Sequence, residues 1–145
     1  MKKFLICSSL AVAMAAQAQN PQLKTVQLSA GKHLIVAELA ATEEQRELGL
    51  MYRDSLPVNG GMLFVFGAQG ALCMWMRNTE LPLSVAFLDA AGKIINIEDM
   101  QPHTLDSHCS TRSVPARYAL EMNLGWFRLR NIKPGMLIGN LPAQK

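Results

Sequence analysis

Charge is scarce in this chain. Only 17% of its 145 residues are Asp, Glu, Lys or Arg, whereas half are hydrophobic. A compact core can therefore offset the entropy of ordering the chain, and a disordered tail is excluded as the whole of the molecule. The length allows one domain and leaves no room for a second core. The basic excess, a formal +3, falls to +1 once Lys2 and Lys3 are set aside. No Lys/Arg stripe then remains to neutralise a phosphate backbone, so no nucleic acid is expected as a partner.

Cysteine is scarce too, with Cys7, Cys73 and Cys109 the whole set. Neither a C-x-x-C pair nor an H-x-x-x-H pair occurs, so a zinc site is not expected, and the reading of metal ligands and cofactors is none. No G-x-S-x-G elbow occurs either. Ser107, Ser110 and Ser113 sit near His103 and His108 in one polar stretch, without the context that activates a nucleophile. Internal repeats and low-complexity segments are absent.

What is present begins with an export address. Met1-Lys2-Lys3 is positive, residues 4–16 form an apolar run broken only by Ser8 and Ser9, and Ala16-Gln17-Ala18 is a small-x-small cleavage signal. The run is shorter than the roughly 20 apolar residues of a spanning helix. No cysteine follows the cut to carry a lipid, so no stable membrane anchor is expected after cleavage. The expected organisation is a signal peptide over 1–18 cleaved near Ala18, a polar leader over 19–24, and one β-rich domain over 25–145, periplasmic or secreted and monomeric. In an oxidising compartment Cys73 and Cys109 are candidates for one disulfide, closing a loop of about 37 residues and worth on the order of 4 kcal/mol in the chain-entropy model.

Local patterns predict the elements. Residues 25–28 and 34–39 are rich in β-formers around Ser29-Ala30-Gly31-Lys32, a first hairpin. Thr42-Glu43-Glu44-Gln45 is a capping box, so a short helix starts there, with Leu48, Leu50 and Met51 as its apolar edge and Gly49 lowering its stability. Residues 56–61 read as a turn. Residues 62–66 read as a strand, Gly67-Ala68-Gln69-Gly70 as a hairpin loop and 72–76 as the partner strand. Leu83, Val85 and Phe87 alternate with Ser84, Ala86 and Leu88 before the turn at 89–92 and a strand over 93–97. Residues 101–115 form a long loop, 118–123 a strand, 125–131 a helical turn and 136–138 a last strand. Many short strands with one or two short helices give a mainly β (α+β) fold, a compact antiparallel β-sandwich or small barrel.

Three ordered stretches resemble the DUF192 family, a domain of unknown function. They are R-E-L-G-L-M-Y-R over 46–53 with G-G-M-L-F-V-F over 60–66, W-M-R-N-T-E-L-P-L over 75–83 with Asp89, and A-R-Y-A-L-E-M-N-L-G-W over 116–126. The resemblance covers nearly the whole chain beyond residue 18. It implies a compact, mainly β fold with a helix near the first motif, frequent export in bacteria and no established reaction. Ser84 and Met136 stand where family members often carry an acid, and Arg77 where lysine is common, which replaces a point charge by a planar fork.

Arg46, Arg53, Arg77, Asn78, Asp89, Glu121 and Asn123 are polar residues set in apolar stretches. The leading structural expectation is one internal network, with arginine forks on Asp89 and Glu121. The functional expectation is a groove formed by Arg53, Trp75, Arg77, Asn78, Asp89, Glu121 and Asn123. In it, Arg53 and Arg77 hold an anionic or polyhydroxyl ligand and Trp75 offers a stacking face. The domain is then a non-catalytic module that binds a small polar ligand, a glycan or a protein partner. One alternative is a periplasmic hydrolase using Asp89 and Glu121 as acid and base. Another is a copper or redox-handling protein using Cys73, Met74, Met76, His103, His108 and Cys109. Strand alternation opposes the latter, since Met74 and Met76 share one face while Cys73 and Trp75 share the other.

Overall fold

A computed structural model describes residues 22–143, so the expected signal peptide and residues 19–21 of the leader lie outside the described residues. Nine strands and two short helices follow one another in the order β1 (Thr25–Ala30), β2 (His33–Ala40), α1 (Glu43–Leu48), β3 (Gly60–Gly70), β4 (Cys73–Met74), β5 (Leu83–Leu88), β6 (Ile94–Met100), β7 (His108–Cys109), β8 (Ala116–Asn123), α2 (Trp126–Leu129) and β9 (Ile138–Gly139). The fold is mainly β, and its body is a curled seven-stranded sheet that forms a half-barrel. Strands run across it in the order β6-β5-β8-β3-β2-β1-β9, and β4 and β7 make a separate two-stranded ribbon.

Local chemistry sets the first elements. The β1–β2 hairpin closes through a two-residue turn, Ala30 facing His33, with Gly31 at φ 57 supplying the left-handed conformation. The Thr42 capping box forms in full: Gln45 N donates to Thr42 Oγ1 at 3.2 Å, and Gln45 Oε1 accepts from Thr42 N at 3.1 Å. Antiparallel pairing of β5 with β6 follows the expected hairpin, with Leu83 opposite Met100.

Two expectations are corrected. The hairpin of 62–66 with 72–76 does not form. Gly67 to Gly70 stays within β3, which bulges after Val65 and continues along β8 until Gly70 faces Ala116. Residues 73–74 pair instead with 108–109, inside what reads from sequence as an irregular loop. Antiparallel order is also incomplete, because β2 and β3 run parallel, joined by the α1 crossover.

Apolar side chains cover both faces of the sheet. The inner face draws on all seven strands, with Leu28, Ile35, Leu63, Ala86, Ile94, Leu120 and Ile138 in one cluster closed by Trp126 and Phe127 of α2. The two edges approach each other at one corner, where Lys93 bridges Leu137 and Ile138 N donates to Gly92 O at 2.9 Å. The outer face carries Met62, Phe64, Leu83, Val85, Phe87 and Ala119, packed under Leu50, Leu72, Met76 and Leu81. Among the described residues no helix is long and apolar enough to cross a membrane.

Candidate functional site

The outer cover is incomplete. Between α1 with its following turn and the segment 73–79 lies a cavity of about 350 Å³. Leu48, Leu50 and Met51 form one wall, Met74 and Trp75 the other, and Phe64, Phe66 and Glu121 the floor.

Each wall is fixed by local structure. Gly49, at φ 49 and ψ -133, a conformation open to glycine, ends α1 and turns the chain so that Leu50 is buried. A Cβ at this position would meet the Phe64 ring at 3.4 Å as well as adopting a strained φ. The opposite wall is pinned by the disulfide between Cys73 and Cys109, which face each other across β4 and β7 with Cα atoms 4.0 Å apart. The buried Ser110 adds two bonds to the same wall, its N donating to Leu72 O at 2.8 Å and its Oγ accepting from Leu72 N at 3.0 Å. A reciprocal pair joins the two walls: Tyr52 N donates to Asn78 O at 2.9 Å, and Asn78 Nδ2 donates to Tyr52 Oη at 3.0 Å. Both residues adopt positive φ, 62 for Tyr52 and 51 for Asn78, a conformation Asn tolerates better than Tyr.

Glu121 is the unusual member. On β8 it stands between Met62 of β3 and Val85 of β5, which point to the same face. Strand β3 lies close to β8 there because residue 61 is glycine, where a Cβ would strike the Glu121 carbonyl oxygen and the Met122 sulfur. The Glu121 residue is 3% exposed, and the described residues give its carboxyl neither a hydrogen bond nor a counter-ion. Burial alone pushes its pKa from 4.5 up to about 8, so at neutral pH it is mostly the uncharged acid. Arg46, whose guanidinium also lines the cavity, does not reach it. Its Nη1 donates to Ala41 O at 2.7 Å and Val65 O at 3.0 Å, and its guanidinium carbon lies 5.3 Å from the Phe66 ring centroid.

The residues expected to share one groove are dispersed. Glu121 and Trp75 meet in the cavity, and Trp75 is 50% exposed with Arg77 5.8 Å over its ring. Asn78 only clamps the end of the wall. Arg53 makes a bidentate pair with Glu38, at 2.9 and 2.7 Å, beside a smaller hollow, so its fork lies on neither Asp89 nor Glu121. Asp89 caps the β5–β6 turn, accepting from Ala91 N and Lys93 N at 2.9 Å each, and borders another cavity with Ile95 and Val114. Asn123 donates to Pro57 O at 3.0 Å. Met76 is fully buried in the core, the disulfide occupies both cysteine sulfurs of the copper alternative, and among the described residues no three His, Cys, Asp or Glu side chains converge as metal ligands.

Sequence reasoning missed the apolar lining, Phe64 and Phe66 above all. A signal existed: Ala119 and Glu121 share one face of a strand whose neighbours are bulky, so an acid there sits under apolar side chains.

The chain matches the family model of DUF192, described as uncharacterized ACR, over residues 25–139. Two crystal structures are similar to it. One, from Sinorhizobium meliloti 1021 and named as a proposed transcription regulator, is 37% identical with a TM-score of 0.72, over 79% of this chain and 90% of that one. The other, a protein of unknown function from Novosphingobium aromaticivorans DSM 12444, is 29% identical with a TM-score of 0.77, over 92% of this chain and 100% of that one. Among curated proteins, none matches this chain.

Proposed function

We propose a function on one premise: this chain belongs to the DUF192 family, uncharacterized ACR. Its domain is a non-catalytic binding module, and of the small polar ligand, glycan or protein partner expected from the sequence it favours a small molecule that is amphipathic. The observation that carries this reading is the cavity between α1 and the segment 73–79, with Leu48, Leu50, Met51, Met74 and Trp75 on its walls and on its floor the carboxyl of Glu121, which has no partner among the described residues. Such a combination buries an apolar body and fixes its orientation through one polar group. The domain works as a monomer outside the cytoplasm, released from residues 1–18 by cleavage near Ala18. The Cys73–Cys109 disulfide is compatible with an oxidising compartment and supports that placement.

A catalytic reading has one observation in its favour, the raised pKa of Glu121 inside a cavity. Glycoside hydrolysis needs a second carboxyl facing the first, and Asp89 is engaged in its own turn beside a different cavity. The regulator name of the Sinorhizobium meliloti relative describes that protein. Beyond residue 18 this chain carries 12 basic against 11 acidic residues, without the basic excess that DNA binding uses.

A thermal-shift screen of the purified chain against apolar amines, alcohols, carboxylic acids, sugars and metals tests the reading. Any class that binds only the folded state raises the melting temperature by mass action. We expect amphipathic small molecules to do so and Met51→Glu, which places a charge in the apolar wall, to abolish the rise. A flat response from every small molecule would sink this function and leave a protein partner as the occupant.

A further inference from the structure

We infer that the cavity takes a small organic cation, an ammonium carried on an apolar body, with the ammonium on the Glu121 carboxylate and the body against Phe64, Phe66 and Met74. This rests on the small-molecule reading above and names its ligand class.

The Glu121 carboxyl has no partner in the described residues, so a ligand that reaches the floor must supply one. Two chemistries qualify: a cation that meets a carboxylate, or a hydrogen-bond acceptor that meets the neutral acid. The charges around the cavity favour the first. On this face strands β3 and β5 present Met62, Phe64, Phe66, Leu83, Val85 and Phe87, none of them ionisable. Segment 73–79 lines the cavity with the bridged Cys73, Met74, Trp75 and Thr79, none of which carries a charge; its one cation, Arg77, is not part of the lining and lies 5.8 Å over the Trp75 ring. The ionisable groups on the remaining side are Glu43, Arg46 and Glu47 of α1. Arg46 is already engaged by two backbone carbonyls and the Phe66 ring. Glu43 and Glu47 are exposed at the rim, one helical turn apart, and neither has a counter-ion among the described residues. An acidic rim over an acidic floor draws cations in and opposes anions. Aromatic lining adds to the same preference through Phe64, whose ring, unlike those of Phe66 and Trp75, has no arginine over it among the described residues.

Binding then has a proton signature. The cation displaces the proton that burial holds on Glu121 up to about pH 8, so the carboxylate forms as the complex forms. Affinity for an amine rises by up to about tenfold per pH unit below that value and levels off above it, while an aliphatic ammonium stays charged throughout.

Calorimetric titration of the full chain with phenethylammonium, phenethyl alcohol and hydrocinnamate, three molecules of one shape and three charges, decides the matter. At pH 7 the amine should bind at least about tenfold more tightly than the alcohol and release close to one proton, measured in buffers of different ionisation enthalpy. Its affinity should increase from pH 6 to pH 8. Glu121→Gln should bring amine and alcohol to within about threefold while the melting temperature shows the domain still folded. The surface double substitution Glu43→Gln with Glu47→Gln should weaken the amine about threefold at low salt and leave the alcohol unchanged. Equal or tighter binding of the alcohol or the carboxylate, or an amine preference that survives Glu121→Gln, overturns the cation while leaving the small-molecule function standing. Failure of all three molecules to bind overturns both.

Discussion

The two faces of the curled sheet come from the same strands and end differently. On the inner face Trp126 and Phe127 close over a buried cluster, and the indole N–H is satisfied, since Trp126 Nε1 donates to Asn59 Oδ1 at 3.1 Å while Arg130 stacks 4.4 Å over the ring. On the outer face the cover parts over Glu121, whose carboxyl finds no hydrogen-bond partner or counter-ion among the described residues. Neighbours on β8 belong to opposite regimes: Leu120 and Met122 sit in the closed core, and Glu121 between them faces the cavity. Buried polar groups in folded proteins are normally satisfied, so a carboxyl without a protein partner at the floor of a cavity is what motivates the proposal of a ligand there.

The largest effect that separates the faces is a pH dependence. Folding holds the Glu121 proton up to about pH 8, whereas the unfolded chain releases it above 4.5. Between those values the unfolded state binds fewer protons, so stability falls as pH rises, by about 5 kcal/mol across the window, and is constant above it. Glu121→Gln removes this slope, which urea midpoints measured from pH 5 to pH 9 would show. Parallel pH profiles for the two proteins would erase the contrast drawn here.

Trp126→Ala opens a cavity in the closed face. At 2% exposure the indole is fully packed, and its loss should cost about 4 kcal/mol while leaving ligand affinity at the outer cavity unchanged. A matching loss of affinity would mean that the faces are coupled through β8.

Replacing both bridged cysteines by serine acts on both quantities. At a sequence separation of 36, the crosslink contributes about 3 to 4 kcal/mol by restricting the unfolded chain. Because it pins the wall that carries Met74 and Trp75, its loss should also weaken ligand binding severalfold, read by titration of the double variant.

The smallest expected change in stability is that of Trp75→Ala. Half of this indole is exposed, so its truncation should shift the folding free energy by less than about 1 kcal/mol. Ligand affinity should nonetheless fall, and a variant of native stability that binds unchanged would place the ligand away from this wall.

Legibility in the sequence followed the range of the interactions. The β1–β2 hairpin, the Thr42 capping box and the β5–β6 hairpin rest on residues within a few positions of each other, and they form as their patterns predict. The expected 62–76 hairpin failed because Gly67 to Gly70 pairs onward with β8, whose Ala116 is 46 positions beyond Gly70. Glu121 was recognisable as an acid in an apolar strand, but its assignment to one groove with Asp89 was not sound. Asp89 serves the two backbone amides of its own turn, a local demand that outweighs any distant partner.

By itself the sequence determined a mainly β fold, the places where two of its hairpins and its first helix begin, and a carboxyl set among apolar neighbours, because composition, alternation and capping act over short distances. Only the tertiary structure decided that β2 and β3 run parallel, that Cys73 reaches Cys109, and that the cover over Glu121 leaves a cavity. Those outcomes depend on which strands become neighbours, and side chains far apart in sequence settle that competition through the apolar surface they bury together.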